Sequence, residues 1–244
     1  MATVRTEWRG RVVVVTIDRP DRRNAVDHPT LLSLRAAQIE ASERAARVLV
    51  LTGAPPAFCS GADLTGVEGD EFTRALFDVL WGFGRLPFAC LAAVDGAALG
   101  AGTQLAAACD LRVAAPDSRF GIPAAKLGLA VDHWTVERLA RETGWSVARN
   151  MLMTAATYDA PGLVGPGFVH RLGGLDDALA WADEIAELAP LTIAAHKVAL
   201  ERSGPPPAPD DAVTDARERA WSSDDQREGR QAFFERRPPR FTGC

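Results

Sequence analysis

The first patterned stretch of the chain is Arg11-Val12-Val13-Val14-Val15-Thr16-Ile17-Asp18, a β-branched block that leaves into Arg19-Pro20 and so predicts a buried strand followed by a turn. From about His28 to Arg47 the apolar positions Leu31, Leu34, Ala37 and Ala41 recur at helical spacing behind Pro29, which predicts a helix with proline in its first turn. Val48 to Thr52 reads as a second strand closed by Gly53. The cycle then repeats: a loop from Gly53 to Gly69, a helix from about Asp70 to Arg85 carrying Phe72, Leu76, Val79 and Leu80, and an apolar strand from Ala89 to Val94. After Gly96 come a Gly/Ala turn, a small-residue helix from Gly102 to Cys109, a strand from Leu111 to Ala115 and the turn Pro116-Asp117-Ser118. Beyond Asp132 strand signals fade, and helical patterns take over at His133–Thr143, Ser146–Thr154, Leu175–Ala189 and Leu191–Arg202. The proline-rich stretch Ser203 to Asp210 predicts a stiff linker, and a charged helix from about Ala212 to Arg236 ends at Pro238-Pro239.

Composition narrows the function classes. A chain of 244 residues with 47% hydrophobic and 24% charged residues suits a soluble globular protein of one large domain, or one domain with a small appendage. No apolar run reaches the length of a membrane span, and Met1 to Glu7 lacks a signal-peptide apolar region, so a cytoplasmic protein is expected. The net charge of −5 supplies no excess to neutralise phosphates, which argues against a nucleic-acid partner. Cys59, Cys90, Cys109 and Cys244 show no C-x-x-C spacing and read as reduced, mostly buried thiols rather than metal ligands or a disulfide framework. The basic residues are arginines almost throughout, with Lys126 and Lys197 the only lysines.

Two loops combine a strand end, small residues and the start of a helix: Ala57-Phe58-Cys59-Ser60-Gly61-Ala62-Asp63-Leu64, and Gly96 through Gln104. Small side chains let backbone approach a ligand, and amides at a helix N-terminus direct their positive dipole ends outward. Two such amides converging on one oxygen make an oxyanion hole. The same Gly100-Ala101-Gly102 suits close strand-to-helix packing equally well, whereas a dinucleotide fingerprint lacks its third glycine and its acidic partner.

Taken together, several segments resemble the crotonase superfamily, the enoyl-CoA hydratase/isomerase family. They are Asp18-Arg19-Pro20 through Arg23-Asn24-Ala25-Val26, Phe58 through Leu64, Val94 through Gly102, Cys109-Asp110-Leu111-Arg112, Phe120-Gly121-Ile122-Pro123, Lys126-Leu127-Gly128-Leu129 and Ala232 through Arg237. The resemblance spans nearly the whole chain and is closest to actinobacterial members that lack two catalytic glutamates. It implies an α/β fold, a spiral of ββα units followed by a C-terminal helical trimerisation region. Residues 1–190 would then form the spiral core with the acyl-CoA site. Residues 191–244 would serve oligomerisation and closing over coenzyme A, in a homotrimer or a dimer of trimers.

The ligand implied is an acyl-CoA thioester, with no cofactor besides. By matching position, the backbone amides of Ala62 and Ala101 would form the oxyanion hole, Ala101 standing where family members usually carry glycine. Hydratases use two glutamates, a base for water and an acid for the α-carbon, and at those positions this chain has Gln104 and Ala124, neither of which exchanges a proton near neutral pH. Asp132, where other branches of the superfamily place a catalytic aspartate, is a candidate base for double-bond migration. It also directly precedes a helical pattern whose amides it could cap. His133 reads first as a packing or hydrogen-bonding residue, Trp134 as a pocket wall or core residue, and His28, His170 and His196 show no partner at useful spacing. Arg22, Arg23 and Ala25 lie where the family runs along adenine and pantetheine. Asp63 would order the first loop rather than react, Phe233 would cover the acyl or pantetheine part, and Arg236 with Arg237 lie on the closing helix, which in this family can reach a neighbouring subunit's ligand. Two function classes follow: an acyl-CoA carrier, sensor or scaffold in fatty-acid metabolism, or an active isomerase or hydratase using Asp132 or a water held by Gln104.

Overall fold

A computed structural model describes residues 3–65, 70–203, 215, 218–219, 221–240 and 242. The valine-rich block pairs first with the segment before it: β1 (Val4–Arg9) runs antiparallel to β2 (Val12–Ile17), with Val4 opposite Ile17 and Arg9 opposite Val12. Each later strand of this sheet is reached through a helical crossover and joins it in parallel. After α1 (His28–Glu43) comes β3 (Val48–Gly53), and after α2 (Asp70–Arg85) comes β4 (Ala89–Val94). The short β5 (Ala97–Leu99) and α3 (Ala101–Ala108) then lead to β6 (Leu111–Ala114). With β9 (Arg171–Leu172) the sheet order is β1-β2-β3-β4-β6-β9.

Strands β3 and β4 are buried almost from end to end, as strands covered on both faces must be. On one face, Val12, Val48, Val50, Leu91, Ala93 and Val113 pack against Ala178, Ala182, Ile185 and Ala186 of α6 (Leu175–Ala186). A second sheet, in the order β5-β7-β8, takes in β7 (Arg119–Gly121) and β8 (Thr157–Asp159).

By packing, the chain forms two compact units: Met1–Phe120 with Tyr158–Gly204, and Gly121–Thr157 with Pro205–Cys244. This is a division by contact, different in kind from the division by role at 190/191. The second unit holds a 3₁₀ turn (Pro123–Leu127), α4 (His133–Thr143), α5 (Trp145–Thr154) and α8 (Asp224–Glu235). Its α8 lies so close to the 3₁₀ turn that a methyl on Gly229 would come within 2.5 Å of the Leu127 carbonyl carbon, and Trp221 Nε1 donates to the Ala130 carbonyl at 2.8 Å.

The alternation of strands and helices follows the sequence pattern, with instructive exceptions. No strand is expected at β1, because an edge strand bearing Arg5, Thr6 and Glu7 outward carries no apolar run. Strands β5, β7, β8 and β9 have only two or three residues, too few for a period to show. Helix α1 stops at Glu43 rather than near Arg47, since Ala45 takes a left-handed conformation and Ala46 N closes back on the Ala41 carbonyl. Near the C-terminus a single long helix is expected, but Ser223 is extended and its hydroxyl accepts from Gln226 N, which starts α8 there. The linker beyond Ser203, the first part of that expected helix and Cys244 lie outside the described residues.

Cys59, Cys90 and Cys109 are buried free thiols, and burial pushes Cys59 and Cys90 up to about 12. Lys197 of α7 (Pro190–Glu201) reaches into the first unit's core, where Nζ meets Asp110 Oδ2 at 2.7 Å, the Phe88 carbonyl at 2.9 Å and Cys90 Sγ at 3.5 Å. A compact ammonium with three donors suits these three acceptors, and a planar guanidinium would not fit them. Lys197→Met should therefore cost on the order of 3 kcal/mol by leaving Asp110 without its cation. Lys197→Arg should destabilise as well, both read as loss of urea midpoint at unchanged m-value.

Candidate active site

The site is built on a short segment, Arg19 to Val26, that acts as a template for the first loop. Asn24 is fully buried with φ +57°, a conformation asparagine tolerates better than most residues. Its Oδ1 accepts from Arg19 N at 2.9 Å, and its Nδ2 donates to the carbonyls of Ala54 at 2.6 Å and Ala57 at 2.5 Å. Two residues on, Val26 pairs with Ala62 as a parallel bridge: Val26 N donates to Gly61 O at 2.9 Å, and Asp63 N donates to Val26 O at 2.8 Å. Ser60 N adds a bond to the Arg23 carbonyl at 3.0 Å.

That pairing uses the amide of Asp63 and the carbonyl of Gly61, so the N–H of Ala62 points to the opposite side of the loop. Ala101 is the first residue of α3, where amides have no acceptor within the helix. The two loops are joined by Cys59 N to Ala97 O at 2.9 Å and Leu99 N to Cys59 O at 3.0 Å. Helix α3 approaches so closely that a methyl on Gly102 would come within 2.1 Å of the Cys59 carbonyl oxygen, which explains the glycine. A methyl on Gly100 would sit 3.7 Å from the Gly61 Cα, so the residues preceding the two alanines lie against each other. The two segments that carry these backbone donors therefore pack against each other. Gln104 is buried on the first turn of the same helix, its N closing on Gly100 O at 3.0 Å.

Asp63 follows Ala62 directly. Burial would push its carboxyl up, but hydrogen bonds from Thr65 and the Arg19 guanidinium outweigh this and hold it below the usual carboxylate range. Arg19 touches Asp27 Oδ2 at 2.8 Å, Asp63 Oδ2 at 3.2 Å and the Ala25 carbonyl. Asp27 in turn caps α1, accepting from Thr30 N at 2.9 Å. Neither Arg19 nor Asn24 is expected as a functional residue from the sequence, although both lie inside the Asp18-to-Val26 segment, which was the available signal. Arg22 and Arg23 are exposed beside this template, and Ala25 is half-buried.

The remaining candidates belong to the second unit. Ala124 sits half-buried in the 3₁₀ turn, its carbonyl accepting from Leu129 N at 3.0 Å. Asp132 caps α4: Oδ1 accepts from Thr135 N at 2.9 Å and Oδ2 from Thr135 Oγ1 at 2.8 Å. His133 faces Glu137 at 3.4 Å. Phe233 is exposed and meets Phe234 edge-on, and Arg236 is exposed at the end of α8. Arg237 does not project as a free cation: it grips both oxygens of Glu228 at 2.6 and 2.8 Å, and this pairing brings Glu228 down to about 2. In the first unit, His170 does have a partner that spacing could not reveal. Its Nδ1 accepts from Arg112 N at 3.2 Å, and burial together with the Arg112 charge lowers it to about 4.

Comparison with known proteins adds four findings. The sequence pattern of the family described as Enoyl-CoA hydratase/isomerase matches residues 7–244. A Mycobacterium tuberculosis protein named "Probable enoyl-CoA hydratase echA6" is 40% identical over 234 residues, covering 96% of each chain. The crystal structure of carnitinyl-CoA hydratase from Mycobacterium avium superposes with a TM-score of 0.85 at 30% identity over 100% of both chains. That of a methylmalonyl CoA decarboxylase reaches 0.90 at 23% identity over 99% of this chain and 98% of that one, a likeness of fold alone.

The template predicts its own test. Asn24→Ala removes two donors to buried carbonyls and places a β-carbon at positive φ, and should cost about 2–4 kcal/mol in urea unfolding. Asn24→Gly, which relieves the backbone but not the carbonyls, should cost about 1 kcal/mol less.

Proposed function

This chain belongs to the enoyl-CoA hydratase/isomerase family, and from that premise we propose that it is an acyl-CoA-binding protein of fatty-acid metabolism with little or no hydratase activity. What supports this reading is that Ala62, whose N–H makes no bond to the described residues, and Ala101, the first residue of α3, follow two glycines that lie against each other, with a glutamine rather than a carboxylate at Gln104 on the first turn of the same helix. The two N–H groups would polarise a thioester carbonyl as an oxyanion hole. Gln104 and Ala124 stand in for the two hydratase glutamates, so water would find neither base nor acid. Supporting contacts would come from Arg22, Arg23, Ala25 and Asp63, while Phe233 and Arg236 lie on the helix that would close over a neighbouring subunit's ligand. The sole further carboxylate in question, Asp132, has both oxygens engaged by Thr135, which favours capping over proton transfer.

We place the protein in the cytoplasm; among the described residues no helix is long and apolar enough to cross a membrane. A homotrimer or a dimer of trimers accounts for α7, whose only charged residues are the buried Lys197 and the terminal Glu201, and which leaves Leu191 84% and Leu200 69% exposed. In this reading residues 1–190 hold the acyl-CoA site and 191–244 serve assembly and closure over coenzyme A.

Titration calorimetry with a saturated acyl-CoA should show saturable binding. Crotonyl-CoA followed by absorbance and mass spectrometry should be hydrated about 10²–10⁴-fold more slowly than by a hydratase bearing both glutamates, the span that one acid–base group contributes. Turnover of crotonyl-CoA or a 3-enoyl-CoA that vanishes in Asp132→Asn would replace this reading with an isomerase or hydratase. Absence of binding would overturn both.

A further inference from the structure

The N–H of Ala62 makes no bond to the described residues, so its direction is set entirely by what holds its neighbours. On one side Gly61 and Asp63 are tied to the two backbone groups of Val26. The Arg19 guanidinium spans the same junction: it reaches the carbonyl of Ala25, the residue before Val26, and the carboxylate of Asp63, the residue after Ala62. It also meets Asp27, at the start of α1. The Arg19 side chain is 15% exposed and that of Asp63 10%, so this is no screened surface pair. Arg19 is itself anchored, its backbone N bonded to the buried Asn24.

We propose that Arg19 is a positioning residue for ligand recognition: its fork fixes the direction of the Ala62 N–H and offsets the two carboxylates that would oppose negative charge at a bound carbonyl oxygen. Both effects need a planar cation with divergent donors, which a lysine ammonium on a flexible stem does not reproduce. The inference rests on the reading of Ala62 as a thioester-carbonyl donor.

Infrared difference spectra of a bound acyl-CoA labelled with ¹³C at the thioester carbonyl give the test. In the unaltered protein the carbonyl stretch should move to lower frequency on binding. In Arg19→Lys the displacement should fall to less than about half, and affinity for the thioester should drop about three- to tenfold, the range of one hydrogen bond. Affinity for an alkyl-CoA thioether, which has no carbonyl, should stay within about twofold. Arg19→Gln, which removes the cation and leaves both carboxylates in place, should move both readouts in the same direction and serves if Arg19→Lys folds poorly. A full carbonyl displacement in either folded variant, or parallel loss of thioester and thioether binding, overturns the positioning role. Thioester binding by the unaltered protein with no carbonyl displacement overturns the reading of Ala62 and the inference with it.

Discussion

Asn24 is the residue on which the first unit's site depends. A buried side-chain amide carries donors that must be satisfied, and here they are satisfied by the carbonyls of Ala54 and Ala57, on the far side of a loop that has left β3. That requirement sets the register between the segment after β2 and the segment after β3. Once it is set, Val26 can bridge Ala62, Arg23 can accept from Ser60, and the chain from Cys59 onward can lie beside Ala97–Leu99. The left-handed backbone at Asn24 is tolerable because the bonds on either side over-determine it.

The same logic sets the loop at Ala62, read above as a binding loop, apart from a loop that merely connects. Connecting loops have their backbone groups paired or wet. Around Ala62 the neighbours take all the pairing and leave one donor projecting, and α3 contributes another because helix starts always have spare amides. Holding such donors rigidly is what gives them effect on a carbonyl, since no reorganisation is then required when charge builds up. Two buried cations of the first unit are met in the same way: Lys197 has three acceptors, and Arg112 is met by the carbonyls of Phe168, Ala106 and Cys109.

In the second unit, function and packing could share one residue. On sequence grounds Asp132 suits two roles that can coexist, a proton acceptor and a helix cap, because an aspartate before a helical pattern satisfies both descriptions. The structure shows the cap, each oxygen accepting a bond from Thr135. Arg237 shows a similar division: adjacent to Arg236 on the chain, it is consumed by Glu228 and Glu235, whereas Arg236 remains at the surface. Adjacent residues of one type therefore take different parts, and the difference lies in what folds back against them.

Local pattern alone determined the strands β2, β3, β4 and β6 and the helices between them, because burial on a sheet or helix face imposes periods of two or 3.6 on the side chains themselves. It also determined that Gln104 and Ala124 are not carboxylates, a chemical fact independent of folding. The tertiary structure alone decided that the loops bearing Ala62 and Ala101 pack together, that Arg19 and Asn24 hold the first of them, that His170 meets Arg112 and that Lys197 meets Asp110. Those contacts join residues distant in sequence and carry no period. A backbone donor leaves no mark in the identity of its own residue: alanine at 62 or 101 looks like any other alanine until the chain around it has used every other bond.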